Sequence, residues 1–222
     1  MRIEEAKLAG YWISKFINPS NSVCLNIGSS DKKFNYRRKF INELLFSVVK
    51  QNGFKFVNCD IKDDESVDEV GDIFDENFRE KLKQYKAKLV ICANILEHVE
   101  NPRDFAKFCA EITGSGGFIL FTVPYSYPYH PDPIDTMLRI SSDEIAEFLP
   151  GLEKIIGEEI NAGTHWDDLK AYNKHPVFAL FIQIIRIFMP FYKPSTWWPA
   201  AHRMAWLFRQ FRVSLVLFRK PT

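Results

Sequence analysis

No aspartate or glutamate follows Asp168, whereas Lys170, Lys174, Arg186, Lys193, Arg203, Arg209, Arg212, Arg219 and Lys220 all do. The near balance of 29 Lys and Arg against 28 Asp and Glu therefore divides into −8 over residues 1–168 and +9 beyond them, two parts that face different partners. Cysteine is scarce. Cys24, Cys59, Cys92 and Cys109 form no Cys-x-x-Cys pair and three of them sit in apolar runs, so free buried thiols in a reducing compartment are expected. Long apolar runs are missing too. Val177–Met189 is 13 residues long and contains Gln183 and Arg186, short of the roughly 20 residues that a spanning helix needs. "MRIEEAKLAGYW" has no continuous apolar core, so no signal peptide is expected and a cytoplasmic location is. What is present is 46% hydrophobic against 26% charged residues over 222 positions, the composition of a globular protein. That length accommodates one large α/β domain, or a domain of roughly 150 residues with an elaboration.

Periodicity divides the chain into alternating elements. Ile3, Leu8, Tyr11, Trp12 and Phe16 recur among charges over Ile3–Asn18, which predicts an amphipathic helix stopped by Pro19. Val23–Ile27 reads as a short buried strand. Phe40, Leu44, Leu45, Val48 and Val49 place a helix over Tyr36–Gln51, ended by Asn52-Gly53. Phe54–Cys59 is a second strand closing on Asp60, and the charged, irregular run from Lys62 resolves into a helix only at Asp75–Lys83. Leu89–Ala93 is a third strand, Pro102 opens a helix through Ile112, "GSGG" at Gly114–Gly117 turns the chain, and Phe118–Val123 is a fourth strand. A proline- and aromatic-rich loop then leads to a helix at Ser141–Leu149 with Asp143 and Glu144 in its first turn. Leu152–Ile160 and Val213–Phe218 supply two more strands. Such alternation predicts an α/β fold with a Rossmann-like, mainly parallel sheet flanked by helices.

Glycine is scarce where a dinucleotide site would need it. "LNIGSSDKKF" at Leu25–Phe34 has the form of a strand, a turn and a helix start, yet Gly28 stands alone where a pyrophosphate loop carries three glycines. In an open parallel sheet the ligand lies beyond the carboxyl ends of the strands, near the reversal of strand order. The positions at those ends are Gly28–Asp31, Asp60, Asn94–His98 and Pro124 onward. Gly28 admits a close backbone approach, and Asp60 can accept both hydroxyls of a ribose. Asp60, however, lies 32 residues after Gly28 instead of about 20. A loop without the other two glycines also holds its backbone back from phosphates. The ligand expected is a nucleoside without a pyrophosphate.

In order and spacing, "VCLNIGSS", "VNCDI", "GDIFD" at Gly71–Asp75, "LVICANILEHVENP" at Leu89–Pro102 and "GGFILFTVPYSYPYHPDPID" from Gly116 resemble the motif series of class I S-adenosylmethionine-dependent methyltransferases. The resemblance is to the small bacterial members often associated with glycan or lipid modification, and it covers about residues 20–160 with Val213–Phe218 as the final strand. It implies S-adenosyl-L-methionine as cofactor and a methyltransferase domain formed by residues 1–165 and 212–222. It further implies that Gly28 and Ser29 pass against the methionine part, Asp60 holds the ribose hydroxyls and Ile61 flanks the adenine. Asp72 and Ile73 would line the adenine edge, and Asn94, Glu97 and His98 would close the pocket. Asn26 stands where the family has an acidic residue and Ser30 where a second glycine is common. Both count among the cofactor-contacting positions.

Methyl transfer from a sulfonium asks for in-line positioning, with a general base when the acceptor is a hydroxyl. Acceptors in this family enter after the fourth strand, where His130, Asp132 and Asp135 lie. His130 is the expected base and Asp135 the second choice. The bland alternatives are that these polar groups cap the next helix and that His98 packs beneath the cofactor. No metal is assigned, since one His with two Asp in a loop is common by chance. The acceptor class expected is a small molecule, glycan or lipid-linked molecule, methylated at oxygen.

Residues 166–211 form a basic, aromatic insertion whose core, "HPVFALFIQIIRIFMPFYKPSTWWPAAHRMAWLFRQFR", holds three of the five tryptophans. Interleaved aromatic and basic residues on short helices fit an anionic membrane surface contacted through residues 176–212. A lid or a homodimer interface fits the same residues. Nucleic acid is not expected, because the cations lack the stripe a phosphate track would show. Two other functions remain in view. A nicotinamide-dependent sugar reductase or epimerase needs Tyr-x-x-x-Lys after the middle strands, and the match here, Tyr11–Lys15, precedes the nucleotide loop. A non-catalytic binding or scaffolding module would account for Asn26 and Ser30.

Overall fold

The computed structural model describes residues 1–18, 21–29, 39–130, 134–189, 191 and 194–222. One seven-stranded sheet organises them, in the order β3-β2-β1-β4-β5-β7-β6. Strands β1 (Val23–Ile27), β2 (Lys55–Asp60), β3 (Glu69–Val70), β4 (Ala87–Ala93) and β5 (Thr113–Ser126) run parallel. Strand β7 (Arg212–Arg219) runs antiparallel to both β5 and β6 (Glu153–Asn161). The helices are α1 (Ile3–Phe16), α2 (residues 39–51), α3 (Glu76–Lys83), α4 (Pro102–Ile112), α5 (Ser142–Ala146), α6 (His165–Tyr172), α7 (Pro176–Ile187) and α8 (Pro194–Met204). The Rossmann-like α/β expectation therefore holds.

Strand alternation divides the core between two faces. Leu25, Ile27, Val90, Cys92 and Phe121 pack with Leu82, Phe105, Cys109 and Ile112 of α3 and α4. Cys24, Leu89, Ile91, Leu120 and Leu215 face the other way, against Trp12 and Ile13 of α1 and Leu45 and Val49 of α2. All four cysteines are buried and free, as expected from their spacing. Burial, helped by nearby Glu69, pushes the Cys59 thiol up to about 12, so it stays protonated and packs as a small apolar group.

The structure departs from the expected elements where backbone geometry outruns periodicity. Helix α1 ends at Phe16, two residues before the expected Asn18, and Pro19 lies outside the described residues. Helix α2 is described from Lys39, and its middle, Asn42–Phe46, is a π-helical turn. There α1 comes so close that a Cβ on Gly10 would lie 2.2 Å from the carbonyl oxygen of Leu44. The run after Lys62 contains the two-residue strand β3, too short for an alternation signal. The expected "GSGG" turn exists inside a longer β5. Pairing jumps from Ala87↔Thr113 to Leu89↔Phe118, and the intervening loop folds back so tightly that a Cβ on Gly117 would meet Gly114 O at 2.8 Å. Helix α5 is shorter than expected, starting at Ser142 under a capping box of Ser141 with Glu144.

Helices α6, α7 and α8 lie between β6 and β7. The Arg2 guanidinium binds Asp168 of α6 at 3.1 and 2.7 Å, tying the start of α1 to the start of the insertion. His165 of α6 meets Gln183 of α7 at 2.8 Å. Beyond that anchor, α7 buries none of its residues. Phe178, Phe181, Ile182 and Phe188 are half to four-fifths exposed, with Phe188 at 80%. Among the described residues no helix is long and apolar enough to cross a membrane.

The Gly10 contact yields a stability prediction. Gly10→Ala improves helix propensity yet should lower stability by roughly 1–3 kcal/mol, because the added carbon forces α1 and α2 apart. Gly151, with nothing within 4 Å of an added Cβ, provides the control. Urea midpoints should fall for the first substitution and hold for the second.

Candidate functional site

A cavity of about 1020 Å³ opens at the carboxyl ends of β1, β2 and β4, where strand order reverses. Of the sequence-derived positions, Asn26, Gly28, Ser29, Asp60, Ile61, Asp72, Ile73, Asn94, His98 and His130 line it. Ser30 and Asp132 lie outside the described residues. Glu97 and Asp135 do not line it, although both touch residues that do.

The loop after β1 is held from one side. Gly28 N–H and Ser29 N–H both donate to the carbonyl of Cys59, at 2.8 and 3.2 Å. Gly28 adopts φ +73°, and a Cβ there would strike Ile95 Cδ1 at 2.4 Å. The turn therefore needs glycine once, and its first two amides are already committed. Among the described residues the buried Ser29 hydroxyl has no hydrogen-bond partner. Asn26 donates to the Asn58 side chain at 3.0 Å, so its amide is spent within the sheet.

Around the mouth, the Asp60 carboxylate accepts from Lys62 N–H at 3.0 Å, and Asp72 accepts from Phe74 N–H at 2.9 Å. Ile61 is 66% exposed, an apolar side chain left uncovered at the rim, while Ile73 is buried beside it. Asn94 sits in the left-handed region at φ +53°, a conformation Asn tolerates better than most residues. Its side chain donates to Glu5 Oε1 at 2.8 Å, and Arg2 N–H donates to Glu5 Oε2 at 2.8 Å.

Glu5 and Arg2 line the cavity and were missed in the sequence, because α1 reads as a packing helix. A signal was present: Glu5 is an acid in the stripe that buries Ala6, Ala9, Trp12 and Ile13. Tyr127 was missed as well. Its ring contacts His130 at 5.0 Å and Phe211 at 4.7 Å, and Phe211 stacks on Trp206 at 5.7 Å, so aromatic rings run unbroken from the insertion to the cavity.

Asp135, the second candidate base, is turned away from the cavity. Burial alone would raise its carboxyl, but the Arg139 side chain and the N–H groups of His130 and Met137 outweigh that and hold it down at about 2. Its contacts are Arg139 Nη2 at 2.8 Å, His130 N at 2.9 Å and His130 Nδ1 at 3.2 Å. It orients His130 from behind.

Sheet order, the single antiparallel strand and the cavity at the switch point together define the fold of class I S-adenosylmethionine-dependent methyltransferases. No family model and no curated protein sequence matches the chain. Among solved structures, a proposed sarcosine dimethylglycine methyltransferase from Galdieria sulphuraria is similar at TM-score 0.61 and 12% identity, over 99% of this chain and 84% of that one. Coclaurine N-methyltransferase, bound to N-methylheliamine and S-adenosylhomocysteine, is similar at TM-score 0.60 and 12% identity, over 98% and 70%. The [4+2]-cyclase SpnF is similar at TM-score 0.60 and 13% identity, over 98% and 81%. Likeness at such identities establishes the fold, and a fold hosts more than one chemistry.

Removing the charge at position 135 should be costly. Asp135→Asn leaves the half-buried Arg139 guanidinium without its counter-charge and should cost roughly 1–3 kcal/mol in urea unfolding near neutral pH. The sign with pH follows from a carboxyl held below its ordinary 3.8: its contribution is complete above that value and fades as pH falls toward about 2. The gap between variant and native chain should close across that window.

Proposed function

We propose that the chain transfers the methyl group of S-adenosyl-L-methionine to an oxygen of a small molecule, glycan or lipid-linked acceptor. The observation that carries this reading is the commitment of the Gly28 and Ser29 amides to Cys59, beside Asp60 at the end of the next strand. Those two amides are no longer open to a pyrophosphate, while Gly28 still allows one close approach. The orphaned Ser29 hydroxyl, the uncovered Ile61 and the carboxylate of Asp60 suit a nucleoside with a short polar tail.

When bound, S-adenosyl-L-methionine supplies a methyl carbon already activated by its sulfonium. In the transfer an oxygen–carbon bond forms, the carbon–sulfur bond breaks with its electron pair kept by sulfur, and the acceptor hydroxyl loses its proton. The chain's part is positioning and exclusion of water. Asp60 takes the ribose diol, Ile61, Asp72 and Ile73 border the base, and Asn94, fixed by Glu5, closes the floor. His98 walls the side toward the acceptor. His130 would receive the hydroxyl proton at Nε2.

The insertion supplies the reading of partner and location. The exposed apolar face of α7, with Trp198 of α8 at 59% exposure, lies on the part of the chain that carries no acid. Such a face with a net positive surround fits an anionic membrane surface, at the inner face of a cytoplasmic membrane, where a lipid-linked acceptor would be met.

Two measurements check these readings. Calorimetry should show S-adenosyl-L-methionine binding, weakened about 10- to 100-fold by Asp60→Ala through loss of charge-assisted hydrogen bonds; tighter binding of NAD would overturn the assignment. Sedimentation with phosphatidylglycerol vesicles at low salt should carry the native chain down and leave Phe181→Asp and Phe188→Asp in solution. If vesicles are ignored while the native chain dimerises and those variants do not, the face is an interface between copies.

A further inference from the structure

Three electron-pair donors converge in one corner of the cavity. Glu97 follows β4 on the short turn Leu96–His98, and its side chain is fully buried. Its Oε1 lies 3.7 Å from His98 Nε2 and 3.7 Å from His130 Nε2, and the three ligating atoms all fall within 4.8 Å of one another. Neither Glu97 oxygen has a hydrogen-bond partner among the described residues. Burial of a carboxylate in this state is unfavourable unless an opposing charge meets it.

The far sides of both rings restrict what that charge can be. His98 Nδ1 contacts the carbonyl of Ile134, and His130 Nδ1 contacts the carbonyl of Pro128 at 3.0 Å with Asp135 Oδ2 at 3.2 Å. Carbonyl and carboxylate oxygens only accept, so each Nδ1 carries the hydrogen. In the neutral rings both Nε2 lone pairs then point toward an unpartnered carboxylate. Backing of a histidine Nδ1–H by a carbonyl or carboxylate is the arrangement that orients imidazoles on metal ions. Ligands at roughly 2.1 Å around a tetrahedral ion stand about 3.4 Å apart, so each imidazole would close on Glu97 from 3.7 Å by a few tenths of an ångström, with all three ligand atoms already within 4.8 Å of one another.

We propose that Glu97 Oε1, His98 Nε2 and His130 Nε2 form a binding site for a divalent transition-metal cation of the zinc type, with a coordination position open to the cavity. Two imidazoles and one carboxylate suit such a cation and not calcium or magnesium, which prefer oxygen. Because His98 and His130 line the cavity while Glu97 lies behind them, the open position faces the acceptor region. An oxygen-bearing acceptor held there would have its hydroxyl acidified by the cation. This role rests on the methyltransferase reading, and in it the cation takes over from His130 as base: with Nδ1–H committed and Nε2 on the cation, His130 has no free lone pair, and the proton of the acidified hydroxyl passes to solvent through the cavity mouth. Metal binding itself does not rest on that reading.

The test uses the full chain, stripped with chelator, desalted and titrated with Co²⁺ and Zn²⁺ in the absence of nucleotide. One ion per chain is expected, with visible d–d absorption for Co²⁺ and a rise in thermal midpoint with Zn²⁺. Glu97→Gln, His98→Ala and His130→Ala should each weaken binding at least about tenfold, whereas His175→Ala, an exposed histidine on another surface, should not. Circular dichroism separates lost ligation from lost fold. Removing an unpartnered buried charge should leave the metal-free Glu97→Gln chain at least as stable as the native one, so that variant remains informative. Absence of saturable binding, or binding that survives Glu97→Gln and His130→Ala, overturns the site. A chain that binds S-adenosyl-L-methionine but no metal refutes this inference alone, and one that binds metal but no adenosyl ligand refutes the methyltransferase reading alone.

Discussion

The cavity depends on a single carbonyl. Cys59 O, near the end of β2, takes the N–H groups of Gly28 and Ser29 and so fixes where the chain leaves β1. Parallel registry of β1 with β2 and β4 aligns Asn26, Asn58 and Ile91, and the loops beyond those strands open on the same side of the sheet. Pinning the first loop sets the distance from Gly28 to Asp60 on one side and to Ile95 on the other. The position of any nucleoside in the cavity is set from that pin, and among the described residues the two amides of the loop, Gly28 and Ser29, are both satisfied within the protein.

Most of the fold was readable in the sequence, and so were the strand-end positions that line the cavity. Alternation marked β1, β2, β4, β5 and β7, because strands buried on both faces leave apolar runs bounded by turns. Local geometry that periodicity does not encode was hidden: the π-turn of α2, the two-residue β3, and the bulge that folds Gly114–Gly117 into β5. The site divided in the same way. Gly28, Asp60 and Asn94 stand at positions defined by topology alone. Glu5 was hidden because its hydrogen bond to Asn94 spans distant parts of the chain, and its helix looked like simple packing. The grouping of Glu97, His98 and His130 was hidden for a related reason. Two of the three are neighbours in sequence, but the third arrives on the loop after β5 and is oriented by Asp135, a residue that sequence reasoning had set beside it as a rival base.

The acidic body and the basic insertion meet in a few specific contacts. The pair of Arg2 with Asp168, the last acid of the chain, joins α1 to α6, and the Arg2 guanidinium also lies 4.6 Å from the Phe211 ring centre. Phe211 in turn meets Tyr127 on the cavity wall. The segment presenting an uncovered apolar face is thus mechanically continuous with the wall beside His130, while α7 itself is held by the Gln183–His165 contact and by Trp197 Nε1–H, which donates to the Ile187 carbonyl at 3.0 Å. Burial lowers the pKa of His165, in keeping with a ring that joins helices as a neutral hydrogen-bonding group.

Strand β7 enters the sheet antiparallel, with Asn161 of β6 directly across from Arg212 of β7, and Arg212 across from Ser126 at the cavity end of β5. The insertion therefore leaves and rejoins the sheet at one point. Closing a loop whose ends already touch costs little more when the loop is long than when it is short. Such a junction works as a socket: segments of different length and surface can be exchanged there beside the cavity, while the strands that frame it keep their register.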